Sequence, residues 1–243
     1  MGHMLKHVLK HSAHAFFSLL FVCGQVWAEE CESKPGYTAA YSEAWGIDDR
    51  NTRYQPRSSL NAENVTGLKL KWVYGLASET PRTYPLVTED TIIIGDGGYG
   101  LVALDRSSGC KRWVFEHSGY ISSAILGVEI DGRQILIFAD RYEGIFAVDG
   151  HDGTLIWHTT IDDEPVPTYS GTPLVVGDSV LVPIASKEVG LAVNPFYGCC
   201  TTSGGMAALD VRTGVKRWYL PTISEEAKVI GSHFGFVNKY GPS

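Results

Sequence analysis

The sequence is short of positive charge, of long apolar runs and of haem-attachment cysteines, and each shortage removes a class of function. Lys and Arg number 20 against 27 Asp and Glu, a net charge of −7, and the basic residues are scattered. The electrostatic footprint of a nucleic-acid binder is therefore missing, and no such partner is expected. No apolar stretch is long enough to span a bilayer comfortably. None of the five cysteines falls in Cys-x-x-Cys-His, which excludes a covalent c-type haem. What the 243 residues do contain is 44% apolar side chains, 27 Gly, 11 Pro, 12 Tyr and 6 Trp, enough for one sizeable core or two small ones. That turn-rich, aromatic-rich usage favours many short strands over long helices.

Residues 1–28 read as a cleaved signal peptide. Lys6 and Lys10 form a basic start, Ala15–Val22 is apolar, and Val26-Trp27-Ala28 has the small-residue pattern a signal peptidase accepts. His3, His7, His11 and His14 would stack on one helix face, a pattern that suggests metal, but a discarded leader with a mildly basic start is the plainer explanation. Val22 before Cys23 departs from a lipobox, so export to the periplasm or medium without a lipid anchor is expected. Cleavage removes Cys23 and leaves Cys31, Cys110, Cys199 and Cys200, an even number in an oxidising compartment.

Three segments of the remaining chain repeat almost without gaps. They are Gly100-Leu-Val-Ala-Leu-Asp105 through Gly109 to Trp113, Gly144-Ile-Phe-Ala-Val-Asp149 through Gly153 to Trp157, and Gly205-Met-Ala-Ala-Leu-Asp210 through Gly214 to Trp218. In each, an apolar strand ends at Asp, Gly follows four residues later, and Trp four after that. Asp bonding its own backbone and Gly supplying a positive φ make the turn of a hairpin. Upstream lie further short strands, such as Thr91–Ile94 and Gln134–Phe138, so each unit holds about four antiparallel strands. Trp72, Trp113, Trp157 and Trp218 are separated by 41, 44 and 61 residues. Periods in the low forties with four strands each predict an all-β chain of β-propeller blades. The surplus in the third interval falls at Lys187–Gly204, and long connections in a regular repeat are where function tends to sit. Leu68–Tyr74 reads as a lone strand that completes the last blade of a ring. Residues 29–68 are then an extension leading into a partial propeller over 69–243.

The Asp-x-x-x-Gly-x-x-x-Trp units resemble the repeats of pyrroloquinoline quinone (PQQ) dehydrogenases, and Trp45-Gly-Ile-Asp48-Asp-Arg-Asn51-Thr-Arg53-Tyr54 is similar to the segment before their first blade. Within that superfamily the chain looks most like polyvinyl alcohol dehydrogenases, through Ser108-Gly-Cys110-Lys-Arg-Trp113, Asn194-Pro-Phe-Tyr-Gly-Cys199-Cys200-Thr and Tyr240-Gly-Pro-Ser243. The resemblance implies alcohol oxidation by hydride transfer to PQQ, with Ca²⁺ as Lewis acid and a cytochrome c-type electron acceptor. It implies a Cys199–Cys200 disulfide lying on one face of PQQ, although each cysteine could instead pair elsewhere or stay reduced, and with it a Cys31–Cys110 pair. It also implies a Ca²⁺-binding carboxylate at Glu188 and a hydroxyl at Ser170 for a PQQ carboxylate. A surface loop Glu and a turn Ser are the plainer readings of those two.

The chain departs from the family at Ser122, Thr168 and Ser203, where relatives commonly carry Arg, a residue suited to three carboxylates. It also departs in length. Eight blades at about 42 residues each need roughly 300 residues or more, and only 25 follow Trp218. About three of eight blades are expected, without the Asp that serves relatives as general base, so no catalytic residue is assigned. The expectation is the N-terminal part of such an enzyme, inactive alone. An exported propeller acting as a protein-binding scaffold and a truncated gene product are the alternatives.

Overall fold

The three repeated hairpins close in the same way, and the bonding is local. In a computed structural model that describes residues 31, 40–42, 45–47, 50, 52–77, 81–96 and 99–241, the Gly amide donates back to the Asp carbonyl in every turn: Gly109 to Asp105 (2.7 Å), Gly153 to Asp149 (2.9 Å) and Gly214 to Asp210 (2.8 Å). Each Asp carboxylate accepts amides two or three residues on, from Ser107 and Ser108, from His151, and from Arg212 and Thr213. The remaining Asp oxygen takes an arginine: Arg112 on Asp105, Arg133 on Asp149 and Arg217 on Asp210. Arg112 and Arg217 precede the motif tryptophan, whereas Ile156 occupies that place in the second repeat and Arg133 substitutes from the neighbouring strand.

The strands are β1 (Ala40–Ser42), β2 (Leu86–Thr88), β3 (Thr91–Asp96), β4 (Gly100–Asp105), β5 (Lys111–Phe115), β6 (Leu126–Ile130), β7 (Arg133–Asp140), β8 (Gly144–Asp149), β9 (Leu155–Thr159), β10 (Pro167–Thr168), β11 (Leu174–Val176), β12 (Ser179–Ser186), β13 (Gly205–Asp210), β14 (Lys216–Pro221), β15 (Lys228–His233) and β16 (Val237–Gly241). They form three antiparallel blades: β1-β2-β3-β4-β5, then β6-β7-β8-β9, then β12-β13-β14 with β10 and β11 both paired to β12. A separate β15-β16 hairpin follows. Two helical pieces, a 3-10 turn at Val65–Gly67 and the helix α1 (Glu188–Leu191), complete the described elements, and no described helix is long and apolar enough to cross a membrane.

Alternation along the central strands builds the core. Successive side chains of a strand point to opposite faces. Leu136, Phe138, Phe146 and Val148 of the second blade therefore pack against Leu86, Ile93, Leu101 and Ala103 of the first. Their neighbours Ile135, Ile137, Ala139, Ile145 and Ala147 face Val180, Val182, Ala207 and Leu209 of the third. The second blade is thus buried on both faces.

The tryptophans lock one blade to the next. A Cβ built on Gly109 would fall 2.7 Å from the Trp72 ring, one on Gly153 2.7 Å from Trp113, and one on Gly214 2.6 Å from Trp157. Glycine is required twice over at these turns, because φ is also +77°, +75° and +69°. The indoles of Trp72 and Trp157 donate to the carbonyls of Arg106 and Val211, each at 3.0 Å. Leu68–Tyr74 pairs with no strand among the described residues, yet Trp72 still seats on its glycine. Cys31 is bonded to Cys110, next to that glycine, and its amide donates to Lys111 O at 3.0 Å. The expected leader at 1–28, together with Asp48, Asp49, Asn51, Pro242 and Ser243, lies outside the described residues.

Candidate cofactor site

Because strands alternate in direction, the Asp-Gly turns lie at one end of each blade, and the β3–β4, β7–β8 and β12–β13 connections lie at the other. Blade-to-blade links reach that second end too. Arg141 N donates to Tyr120 O (2.8 Å) and Tyr169 N to Arg141 O (3.0 Å), stitching the blades together there. At the β7–β8 turn, Asp140 accepts Tyr142 N and Glu143 N on one oxygen and meets His117 Nε2 with the other at 3.1 Å. His117, Asp140 and Glu143 bring potential ligand atoms within 4.8 Å of one another, but the Asp140 oxygens are already committed to capping this turn.

The long β12–β13 connection is organised around Glu188. Its side chain is 2% exposed. Oε1 accepts Tyr197 Oη (2.8 Å) and Thr201 Oγ1 (3.1 Å); Oε2 accepts Thr201 N (2.8 Å), Thr202 N (2.7 Å) and Thr202 Oγ1 (2.6 Å). Burial alone would raise its pKa, but the bonds from Thr202, Tyr197 and Thr201 outweigh it and hold the carboxyl below its ordinary value. As a calcium ligand Glu188 does not fit. Ca²⁺ takes about six to eight oxygens, and five donors of the chain already surround this carboxylate. Its observed work is to fold the loop that carries the cysteines.

A carboxyl depressed on folding stabilises fully above its unfolded pKa and loses that contribution as pH falls through the folded one. The insertion is accordingly expected to hold at neutral pH and loosen below the ordinary carboxyl value of 4.5. Protection of the Thr201 and Thr202 amides from hydrogen exchange, taken relative to the intrinsic rate at each pH from neutral to about pH 3, checks this, and in a Glu188→Gln chain that protection should depend little on pH.

Cys199 and Cys200 are joined to each other across a cis peptide bond, and both are half-buried. Cys200, Glu188, Ile184, Val189, Ser203 and Ile223 line one cleft of about 550 Å³. A smaller cleft of about 200 Å³, lined by Arg141, Tyr142, Thr168 and Lys187, shares Ser186 and Val189 with it as a common wall. Ser170 lies apart. It sits exposed in the gap between β10 and β11, which opens because Pro183 has no amide to give the ladder and Gly171 lets the chain pass close to its ring. The structure thus brings Cys200 and Glu188 to one cleft and leaves Ser170 outside both. Ser122 donates to Tyr169 O, Thr168 to Ala185 O and Ser203 to Gly204 O, so the three hydroxyls brace backbone.

Sequence reasoning missed Glu164, Arg141, and the cage of Tyr197, Thr201 and Thr202. Glu164 is 5% exposed; its Oε2 accepts Gly204 N (3.1 Å) and Tyr219 Oη (3.3 Å), while Oε1 has no partner. Burial and the adjacent Glu164 push Tyr219 up to about 12. The acidic run Asp162-Asp163-Glu164 was the only available signal, and it looks like solvated surface.

A flat, anionic cofactor fits the larger cleft by its chemistry: apolar walls, a cystine at the rim, and an unpartnered buried guanidinium nitrogen, Arg141 Nε, beside it. Comparison with known proteins agrees with the blade architecture. A PQQ_2 repeat model, described as outer membrane protein assembly factor BamB, matches residues 57–234. The polyvinylalcohol dehydrogenase of a Pseudomonas sp is 28% identical over 186 residues, covering 75% of this chain and 29% of that protein. That of Sphingopyxis sp. (strain 113P3) is 25% identical over 224 residues, covering 89% and 34%. The crystal structure of quinohemoprotein alcohol dehydrogenase from Comamonas testosteroni superimposes with a TM-score of 0.61 at 21% identity, over 77% of this chain and 28% of that one. The chain spans about a third of the length of the curated relatives it matches. With three tandem Trp-docked blades and a family match over most of its length, the chain belongs to the PQQ_2 repeat family and has the fold of a part-ring propeller.

Proposed function

We propose that this chain is the cofactor-binding N-terminal sector of an exported PQQ-dependent alcohol dehydrogenase of the polyvinyl alcohol type, and that it does not turn over alcohol alone. The observation that carries the reading is the adjacent-cysteine disulfide at the rim of an apolar cleft, within an insertion that a purely structural blade does not need. PQQ, when bound, supplies the two-electron acceptor for the hydride leaving an alcohol carbon. Ile184, Val189 and Ile223 would exclude water from one side of a planar ring, and the cystine would support its face. Ser203 Oγ, which makes only long bonds to Gly204 O and from Ile223 N, is the hydroxyl best placed to orient a cofactor oxygen. Calcium has no part in this reading, because Glu188 is occupied by the chain's own donors. Electrons would pass to a cytochrome c-type acceptor outside the cytoplasm.

Titration of the protein with PQQ, followed by the quinone absorbance, tests the proposal. Saturable binding is expected with a Kd of tens of micromolar or tighter, about −6 kcal/mol or better. Replacing Cys199 and Cys200 together by serine should weaken it by about ten-fold, roughly the loss of one good contact. Absence of binding by the folded chain at ~100 μM, a free energy no better than about −5.5 kcal/mol, would overturn it.

A further inference from the structure

The smaller cleft holds two cations with no counter-charge. Arg141 Cζ and Lys187 Nζ stand 5.7 Å and 5.4 Å from the centre of the same Tyr142 ring. Neither makes an ion pair among the described residues, and Arg141 Nε is buried without any hydrogen-bond partner. Arg112 also has a buried Nε without a partner, but its other guanidinium nitrogens meet carboxylates. Arg112, Arg133, Arg212 and Arg217 all hold aspartates, in a sequence with more acids than bases. Two like charges converging on one ring repel each other, and a buried unsatisfied N–H carries its full desolvation penalty. An arriving anion would relieve both.

The surroundings keep the pair from collapsing onto an internal partner. Arg141 is clamped through its backbone to Tyr120 and Tyr169, and Lys187 N donates to Val166 O at 2.8 Å. The acids adjoining them in sequence are committed elsewhere, and Asp140, directly before Arg141, accepts Tyr142 N and Glu143 N and meets His117 Nε2. Glu143 is half-exposed and turned towards His117 at 4.0 Å, and Glu188 is filled by Tyr197, Thr201 and Thr202. The cleft of about 200 Å³ is too small for a ring system and suits a single planar acid group, which a guanidinium fork recognises bidentately. Its shared wall, Ser186 and Val189, sets that acid group beside the cleft lined by Cys200.

We propose that Arg141 and Lys187 form a carboxylate grip, and that the carboxylate they take belongs to the quinone cofactor whose ring lies in the adjoining cleft. This rests on the function proposed above. The grip is preformed: its cations come from neighbouring blades, held by backbone bonds that exist without ligand.

The test compares PQQ affinity of the whole chain with Arg141→Gln, Arg141→Lys, Lys187→Gln and the double Gln variant, each first shown to share the parent's circular dichroism and urea midpoint. Arg141→Gln should raise Kd about ten-fold and the double variant ~100-fold, as expected for lost charge-assisted bonds, and Arg141→Lys should fall between parent and Gln. Parent affinity should drop with added salt, and the trimethyl ester of PQQ should bind the parent no better than free PQQ binds the double variant. Equal PQQ affinity in parent and Arg141→Gln would overturn the grip while leaving the cofactor reading standing. A folded parent that binds no PQQ would remove that reading and the cofactor assignment with it. Citrate serves as the second probe: Arg141-dependent citrate binding without PQQ binding would mean a grip for a free organic acid, overturning its assignment to the cofactor.

Discussion

Trp157→Ala is expected to cost about 3–5 kcal/mol in urea unfolding, the range for deleting a large buried aromatic. Trp157 is 7% exposed, packs onto Gly214 and donates its indole N–H to Val211 O, so truncation opens a cavity between the second and third blades and orphans a carbonyl. The matching residue of the last repeat gives the control. Trp218 is 45% exposed and no described glycine turn lies against it, so Trp218→Ala should cost under about 1 kcal/mol, the usual scale for a surface change. Equal losses would mean that the tryptophans stabilise their own hairpins rather than the joints between blades.

Glu188→Ala is the second large effect. It removes the acceptor of five hydrogen bonds from a 2% exposed position and leaves the Thr201 and Thr202 amides with nothing to bond. Each stranded buried donor costs about 1–3 kcal/mol. The insertion relaxes towards water to recover part of this, so a net loss of about 2–4 kcal/mol is expected, confined to the β12–β13 connection. Hydrogen exchange should rise at Thr201 and Thr202 while the amides of β7 and β8 keep their protection. A uniform loss of protection over all three blades would show that the loop and the propeller unfold as one unit. If PQQ binding were measured in parallel, it should weaken with the loop, since Cys199 and Cys200 directly precede the two threonines.

How far the sequence could be read follows from how far apart the interacting residues lie. The Asp-Gly turns were legible because the donor, the acceptor and the glycine that permits the turn fall within five residues, at Asp105–Gly109, Asp149–Gly153 and Asp210–Gly214. The four-stranded units and the site of the insertion followed from that register. Leu68–Tyr74 has the apolar alternation of a strand, but strand formation depends on a partner ladder, which no local pattern reports and which the described residues do not contain. Glu188 was singled out for its position, but its partners come from nine to fourteen residues further on, in a segment with no periodicity. Arg141 carried no signal at all. It meets Lys187 only because the β7–β8 turn of one blade abuts the end of β12 in the next.

Docking each tryptophan on the following turn makes the described blades a one-dimensional array, in which each blade is held by its immediate neighbours. In such an array the middle unit has two couplings and the outer units one each among the described residues. The smaller cleft is lined from both the β7–β8 turn and the end of β12, so its occupancy and the opening of that joint are linked equilibria. A ligand gripped by both Arg141 and Lys187 would act as a second coupling across the same joint as Trp157, and the thermal stability of the third blade would become a measure of its concentration.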